Sequence, residues 1–278
     1  MTEFLDVDGG RIAYDVTGEG PLVVLGHGMG TPRDTFRFLV PLLVAAGYRV
    51  ANVDSRGHGE SSSAWPSYTR TNTAHDLLAL IRHLGGPAVI VGHSFAGGSA
   101  TIAAAEAPEQ VTSVVEICPF TRVAKVDLGA LIKNSHHRKG VVRLLGTAMT
   151  GSIGIWSSYL DRAYPGAKPA DYAANLAAVQ ANMREKGRML AARKMGMSKP
   201  SDAQAQLPNI SCPALVVMGT LDPDWPNPKA EAEAIVAAMP AGLGRVAMIE
   251  GAGHYPQAQF PDQVAAAIVS FLAANARA

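Results

Sequence analysis

The sequence predicts an α/β architecture: a mostly parallel central sheet with helices on both faces and an inserted helical cap. Short, continuous apolar runs alternate with segments whose apolar residues recur at helical spacing. Several of these runs lack polar interruptions, the pattern of strands covered on both faces. The rhythm stops near Pro119 and resumes only at Ala214, an interval far longer than an ordinary loop. The expected division is a first part of the core over 1–118, a cap over 119–207 and a second part of the core over 208–278.

The opening residues Phe4, Leu5 and Val7, the Gly9-Gly10 turn and the alternation of Ile12, Tyr14 and Val16 predict an antiparallel hairpin. Pro21 to Leu25 follows as a buried strand and ends in Gly26-His27-Gly28-Met29-Gly30, a loop whose backbone N–H groups can point into a cavity. Phe36, Leu39, Val40 and Leu43 predict a helix over 34–46, with Pro41 implying a late start or a kink. Tyr48 to Val53 is the next strand and runs into a polar loop, Asp54 to Ser61. Ala74, Leu77, Leu78, Ile81 and Leu84 have helical spacing, and Val89 to Val91 is a strand that leads directly into Gly92-His93-Ser94-Phe95-Ala96. An alanine-rich helix to Ala107 and a strand from Val111 to Ile117 complete the first part. In the interval that follows, Ile153, Ile155, Trp156, Tyr159 and Leu160, then Tyr172, Leu176, Val179, Met183 and Leu190, either pack the cap onto the core or line a pocket. The basic run Lys133, His136, His137, Arg138 and Lys139 reads as a solvated face. Beyond it come a strand over 214–218, a helix over 228–239, a strand over 245–249 and a final amphipathic helix from Pro261.

With 24 Lys plus Arg against 23 Asp plus Glu, the net charge of +1 provides no field to attract nucleic acid or an anionic membrane. No apolar run approaches the length that spans a bilayer, and Met1 to Asp8 carries Glu3, Asp6 and Asp8 in place of a signal peptide's basic and apolar regions. A soluble, cytoplasmic protein that takes a small-molecule substrate is expected; oligomeric state has no signal here. Cys118 and Cys212 lie in or beside strand-like runs, as buried thiols rather than metal ligands or a disulfide.

Ser94 sits where a buried strand meets a helix, between the small residues Gly92 and Ala96 that let the two elements approach. A serine hydroxyl needs a base to take its proton as it attacks. Of the eight histidines, His254 follows a strand in a glycine-flanked loop from which it can reach across strand ends; His27, His58 and His93 also sit near strand ends. A carboxylate must hold that histidine's tautomer, and Asp222 is the first candidate, with Asp224, Asp54 and Glu116 as alternatives. Donors for an oxyanion are expected from the backbone N–H groups of Met29 and Phe95.

Taken together, these motifs resemble the α/β-hydrolase superfamily, in its serine esterase-like branch. The order Ser94, Asp222, His254 is similar to that family's nucleophile, acid and base. His27-Gly28-Met29-Gly30 looks like its oxyanion loop, and Asp54-Ser55-Arg56-Gly57-His58-Gly59-Glu60-Ser61 like its D-x-R-G-x-G-x-S turn. Ala96, where glycine is commoner, is a departure. The resemblance implies an α/β-hydrolase fold, no metal or organic cofactor, and cleavage of a small ester or lactone through an acyl-enzyme. Serine at the elbow argues against the dehalogenase and epoxide-hydrolase branches, whose nucleophile is aspartate. Carbon-carbon bond hydrolysis, acyl transfer and cofactor-free perhydrolysis use the same three residues, and the family also contains ligand receptors that retain them.

Overall fold

The computed structural model describes residues 1–124 and 127–275. Eight strands, β1 (Glu3–Val7), β2 (Gly10–Thr17), β3 (Leu22–Gly26), β4 (Arg49–Asp54), β5 (Ala88–His93), β6 (Val111–Ile117), β7 (Ala214–Gly219) and β8 (Gly244–Ile249), form one sheet in the order β1-β2-β4-β3-β5-β6-β7-β8. The β1-β2 and β2-β4 pairs are antiparallel and the remaining pairs parallel. The predicted hairpin is therefore present, and its second strand extends the sheet by pairing with β4. β3, β5 and β7 are buried at every position, so helices cover both faces, as unbroken apolar strands require.

The helices are α1 (Leu39–Ala45), α2 (Arg70–His83), α3 (Phe95–Glu106), α4 (Leu128–Lys133), α5 (Ser135–Thr150), α6 (Ile153–Ala163), α7 (Tyr172–Arg184), α8 (Arg188–Met197), α9 (Ser201–Gln206), α10 (Pro228–Ala237), α11 (Pro256–Gln259) and α12 (Pro261–Ala274). Pro41 delays α1: a short 3-10 turn over Arg33–Phe36 precedes it, and the proline sits in its first turn, where no N–H is needed. α2 begins with a reciprocal cap, in which Thr69 Oγ1 accepts the Asn72 N–H and Asn72 Oδ1 accepts the Thr69 N–H. α1 packs on α12, whereas α2, α3 and α9 pack on one another. Phe95 to Ala104 of α3 are all buried, because α3 lies between α2, α9 and the strands β5 and β6.

Helices α4–α9 lie between β6 and β7. They contribute to a second apolar cluster in which Trp156, Tyr159, Leu160, Val179 and Met183 pack with Tyr255 and Ala258. Most of the large apolar residues singled out in this interval are thus internal packing, although Leu190 is exposed. Among the described residues no helix is long and apolar enough to cross a membrane.

Chain connectivity positions the site. From β3 the chain crosses to β4 on one side and then returns to place β5 on the other. A crevice therefore opens between the carboxyl ends of β3 and β5, the switch point at which open α/β sheets bind ligands.

Candidate active site

Ser94 occupies this crevice with φ 55° and ψ −114°, a backbone conformation that L-residues rarely adopt. The surrounding structure holds it there: Ser94 N–H donates to Ile117 O at 2.9 Å, and Ser94 O accepts from Phe120 N–H at 3.1 Å. The turn is possible because Gly92 has no side chain; a Cβ there would lie 2.2 Å from Ala96 O. Gly26, paired with Gly92 across β3 and β5, leaves room for the unusual Ala96, whose Cβ is 3.1 Å from where a Cβ at position 26 would stand. Because the strain belongs to any residue with a Cβ, Ser94→Gly is expected to be more stable than Ser94→Ala by about 1 kcal/mol, reversing the usual order. Paired urea or thermal unfolding checks this, and a Ser94→Ala protein at least as stable as Ser94→Gly would contradict it.

Phe95 is the first residue of α3, so its N–H has no partner within the helix and lies at the positive end of the helix dipole. The loop after β3 passes over the serine so closely that a Cβ at Gly28 would stand 2.7 Å from Ser94 Cβ. Met29 follows and, with Ser94 and Phe95, lines one cavity. The loop is braced from behind by His58 Nε2, which accepts the Gly30 N–H at 2.8 Å.

The rival histidines all have other work. His27 Nε2 accepts Ser55 N–H at 2.8 Å, and its Nδ1 donates to Gly28 O. His58 Nδ1 donates to Arg56 O, and His93 Nε2 donates to His254 O at 2.8 Å. Burial pushes the pKa values of all three down, His58 to about 3, with the neighbouring His27 adding to its shift. They are neutral struts between strand ends.

His254 differs in kind. Its backbone is held by Ala163 O at the end of α6, which accepts the His254 N–H, and by the His93 bond, while its Nδ1 donates to Asp222 Oδ2 at 2.9 Å. Asp224 Oδ2 stands slightly farther from the same nitrogen, at 3.2 Å, and accepts the Tyr159 hydroxyl at 2.7 Å. Asp222 Oδ1 accepts the Asp224 backbone N–H at 3.0 Å, which fixes the turn that carries both acids. Burial opposes the imidazolium, but the two carboxylates outweigh it and raise the His254 pKa to about 9. Burial raises the Asp224 pKa, and the Asp222 charge adds to that rise. The other carboxylates are engaged elsewhere. Asp54 accepts from the N–H groups of Arg33 and Glu60, and Glu116 accepts from Thr101 and Thr121 inside the core, where burial lifts its pKa to about 7.

Polar turns knit this edge of the sheet together. Arg56 makes a two-armed pair with Asp76 of α2, both bonds 2.8 Å, and Ser61 Oγ accepts Ala13 N–H while donating to Asp54 O. The loops carrying Asp222 and His254 are joined by Leu221 N–H to Ala252 O at 2.8 Å.

Cys118 Sγ, Asp222 and His254 place possible metal donors within 4.8 Å of one another. Each is already engaged: the thiol donates to Gly253 O, and burial followed by the Asp222 charge pushes its pKa well up. A metal would have to displace that proton and break the His254–Asp222 bond, so the trio fits a hydrogen-bonded cluster better than an ion site.

The cavity measures about 580 Å³ and is bounded by Ser94, His254, Met29, Phe95, Phe120 and Trp156 among others. Asp224 also faces it, whereas Asp222 is buried behind the His254 ring. Of the apolar residues singled out after Pro119, Trp156 and Tyr159 reach it. Another wall comes from α5 through Val141, Leu144, Leu145 and Ala148, which sequence reasoning passed over although their spacing of three, four and seven is helical. The basic run beside them is more than a solvated face: His136 Nε2 donates to Leu221 O at 2.9 Å and His137 Nδ1 to Pro223 O at 3.0 Å, tying α5 to the loop that carries Asp222. Arg70 and Trp225 are further cavity residues with no local sequence signal.

A family model described as the alpha/beta hydrolase family matches residues 23–267. The 2-(acetamidomethylene)succinate hydrolase of Mesorhizobium japonicum is 29% identical, over 96% of this chain and 94% of its own length. Among solved structures, the esterase EaEST from Exiguobacterium antarcticum superposes with a TM-score of 0.80 at 20% identity, covering 98% of this chain and 100% of that one. The enol-lactonase from Burkholderia xenovorans LB400 does so with 0.78 at 22% identity, over 98% and 100%. The strand order, the serine at the switch point and these matches together establish that the chain belongs to the alpha/beta hydrolase family.

Proposed function

We propose that this hydrolase cleaves a small ester or lactone through an acyl-enzyme, with Ser94 as nucleophile, His254 as base and Asp222 as its acid partner. The observation that carries the reading is the opening of Ser94 and His254 into one cavity while Asp222 holds His254 Nδ1 from behind at 2.9 Å. With its single Nδ1 proton committed to Asp222, His254 presents Nε2 as the acceptor. Ser94 Oγ then adds to the carbonyl carbon as its proton passes to His254 Nε2. The backbone N–H groups of Phe95 and Met29 stabilise the oxyanion. Collapse expels the alcohol, which takes the proton from His254, and water repeats the sequence on the acyl-enzyme to release the acid and regenerate Ser94.

The helices over 119–207 act in this reading as a cap that selects the substrate. Phe120, Leu144 and Trp156 suit an apolar acyl or alcohol group. The names of the Mesorhizobium hydrolase and the Burkholderia enol-lactonase are compatible with small acyl compounds as substrates. No cofactor takes part, and cytoplasmic, soluble operation is part of the proposal.

A panel of short-chain esters and lactones, with Ser94→Ala as blank and product identification by mass spectrometry, tests the reading. Release of the free acid and alcohol is the expected result. Products of carbon-carbon cleavage, of acyl transfer or of peracid formation would redirect it to those chemistries, and stoichiometric ligand binding without turnover would indicate a receptor.

A further inference from the structure

Arg56, Arg70 and Arg188 are buried arginines among the described residues. Arg56 is paired with Asp76 at 2.8 Å and Arg188 with Glu185 at 3.2 Å. Arg70 has no carboxylate within ion-pair distance there. A buried charge normally has a counter-ion, because desolvation without one is costly. Its position is unfavourable locally as well: it occupies the first residue of α2, the helix end that favours anions.

The geometry leads from this isolated cation into the candidate site. Arg70 is 4% exposed and lines the same cavity as Ser94. Its Cζ lies 4.2 Å from the centre of the Phe95 ring, immediately after the nucleophile. Nε donates to Phe120 O at 3.0 Å and Nη1 to Ser198 O at 2.9 Å, fixing the guanidinium plane from two sides, and both acceptors are neutral carbonyls. The carbonyl bonds orient the group without neutralising it, and burial pulls its pKa down to about 10, with only partial opposition from Asp202. Of the other charges facing the cavity, Glu231 pairs with Arg122 at 3.1 Å and Asp224 with Tyr159 and His254, while the exposed Asp127 caps α4 by accepting the Ala130 N–H at 2.9 Å.

We propose that Arg70 is a specificity residue that binds a carboxylate carried by the substrate, so that the compound hydrolysed is an ester or lactone of an anionic, carboxylate-bearing acid or alcohol. The proposal rests on the serine-hydrolase reading for the reacting bond and adds the class of substrate. The substrate's carboxylate takes the place of the missing counter-ion beside Phe95, while its apolar portion lies against Phe120 and Trp156. Arg70 touches the substrate away from the bond that breaks, so it acts first on binding.

The test compares matched pairs that differ in the carboxylate. Monoethyl glutarate against ethyl valerate places it on the acyl side; acetoxyacetate against propyl acetate places it on the alcohol side. Wild-type kcat/KM is expected to favour the anionic member of at least one pair by about tenfold or more. Arg70→Met is expected to reduce that preference by on the order of 10- to 100-fold, mainly through KM, with Arg70→Lys intermediate. Loss of activity on both members in equal proportion would assign Arg70 to structure alone, and a wild-type preference for the neutral member in both pairs would overturn the proposal. Direct binding keeps the question open to decision if Arg70→Met fails to fold or no ester is cleaved. Glutarate is expected to change the fluorescence of the cavity's Trp156 and Trp225 saturably in the wild-type protein, whereas 1,5-pentanediol is not. Equal responses to the two compounds, or none to glutarate, would contradict the proposal. Turnover of the neutral esters without a carboxylate preference would defeat the Arg70 proposal and leave the hydrolase reading standing; glutarate binding without turnover of any ester would do the reverse.

Discussion

Ser94→Ala is expected to lower kcat/KM for p-nitrophenyl butyrate by on the order of 10⁴- to 10⁶-fold, with the circular dichroism spectrum unchanged. The size follows from the division of labour in the site. On the proposed mechanism no acyl-enzyme forms without Oγ, and what remains is the contribution of the proposed Phe95 and Met29 backbone donors to attack by water. The fold should persist because the elbow is held by backbone bonds to Ile117 and Phe120 and by the close passage of Gly92 against Ala96, none of which involves the hydroxyl. Residual activity within tenfold of wild type would remove Ser94 from the mechanism.

The two acids on His254 should separate clearly on substitution. Asp222→Asn is expected to cost about 10³- to 10⁴-fold in kcat, because the amide no longer favours the Nδ1–H tautomer or stabilises the imidazolium formed during attack. Asp224→Asn is expected to retain most of the maximal rate and to change its pH dependence. His254 must be neutral to accept the serine proton, so activity rises as pH passes upward through its pKa. That pKa is raised to about 9, burial being outweighed by Asp222 and then Asp224. Removing the Asp224 charge takes away one of the two supports for the imidazolium, so the acid limb of kcat/KM should move to lower pH, by on the order of one unit. The geometry distinguishes the pair for the same reason: the single Nδ1 proton goes to the nearer oxygen, on Asp222, while Asp224 is bonded to Tyr159. An equal loss of rate in both variants, or an acid limb that moves upward in Asp224→Asn, would contradict this assignment.

The parts of the site that were legible in the sequence are those encoded locally. A strand, a tight turn between small residues and a helix can be read from Val89 to Ala107, and the glycine loop after β3 and the turn at Asp222 are equally local. The partners of the other histidines are not encoded locally: His27, His58 and His93 are engaged by distant backbone groups, Ser55 N–H, Gly30 N–H and His254 O. The second acid was visible as a rival to Asp222, but its bond to Tyr159 spans 65 residues and joins α6 to the loop after β7. In α5 the charged residues at the start signal a solvated face, although the apolar spacing of Val141, Leu144, Leu145 and Ala148 marks an apolar one beside it. Arg70 had no local signature, since its significance lies in the carboxylate that tertiary packing withholds from it.

The most direct test of the central claim is intact-protein and peptide mass spectrometry after reaction with a fluorophosphonate that labels activated serines. One adduct per chain is expected, located on Ser94, lost in Ser94→Ala and strongly slowed in His254→Ala. An unlabelled wild-type protein that is folded, or a stoichiometric adduct on another residue, would contradict it.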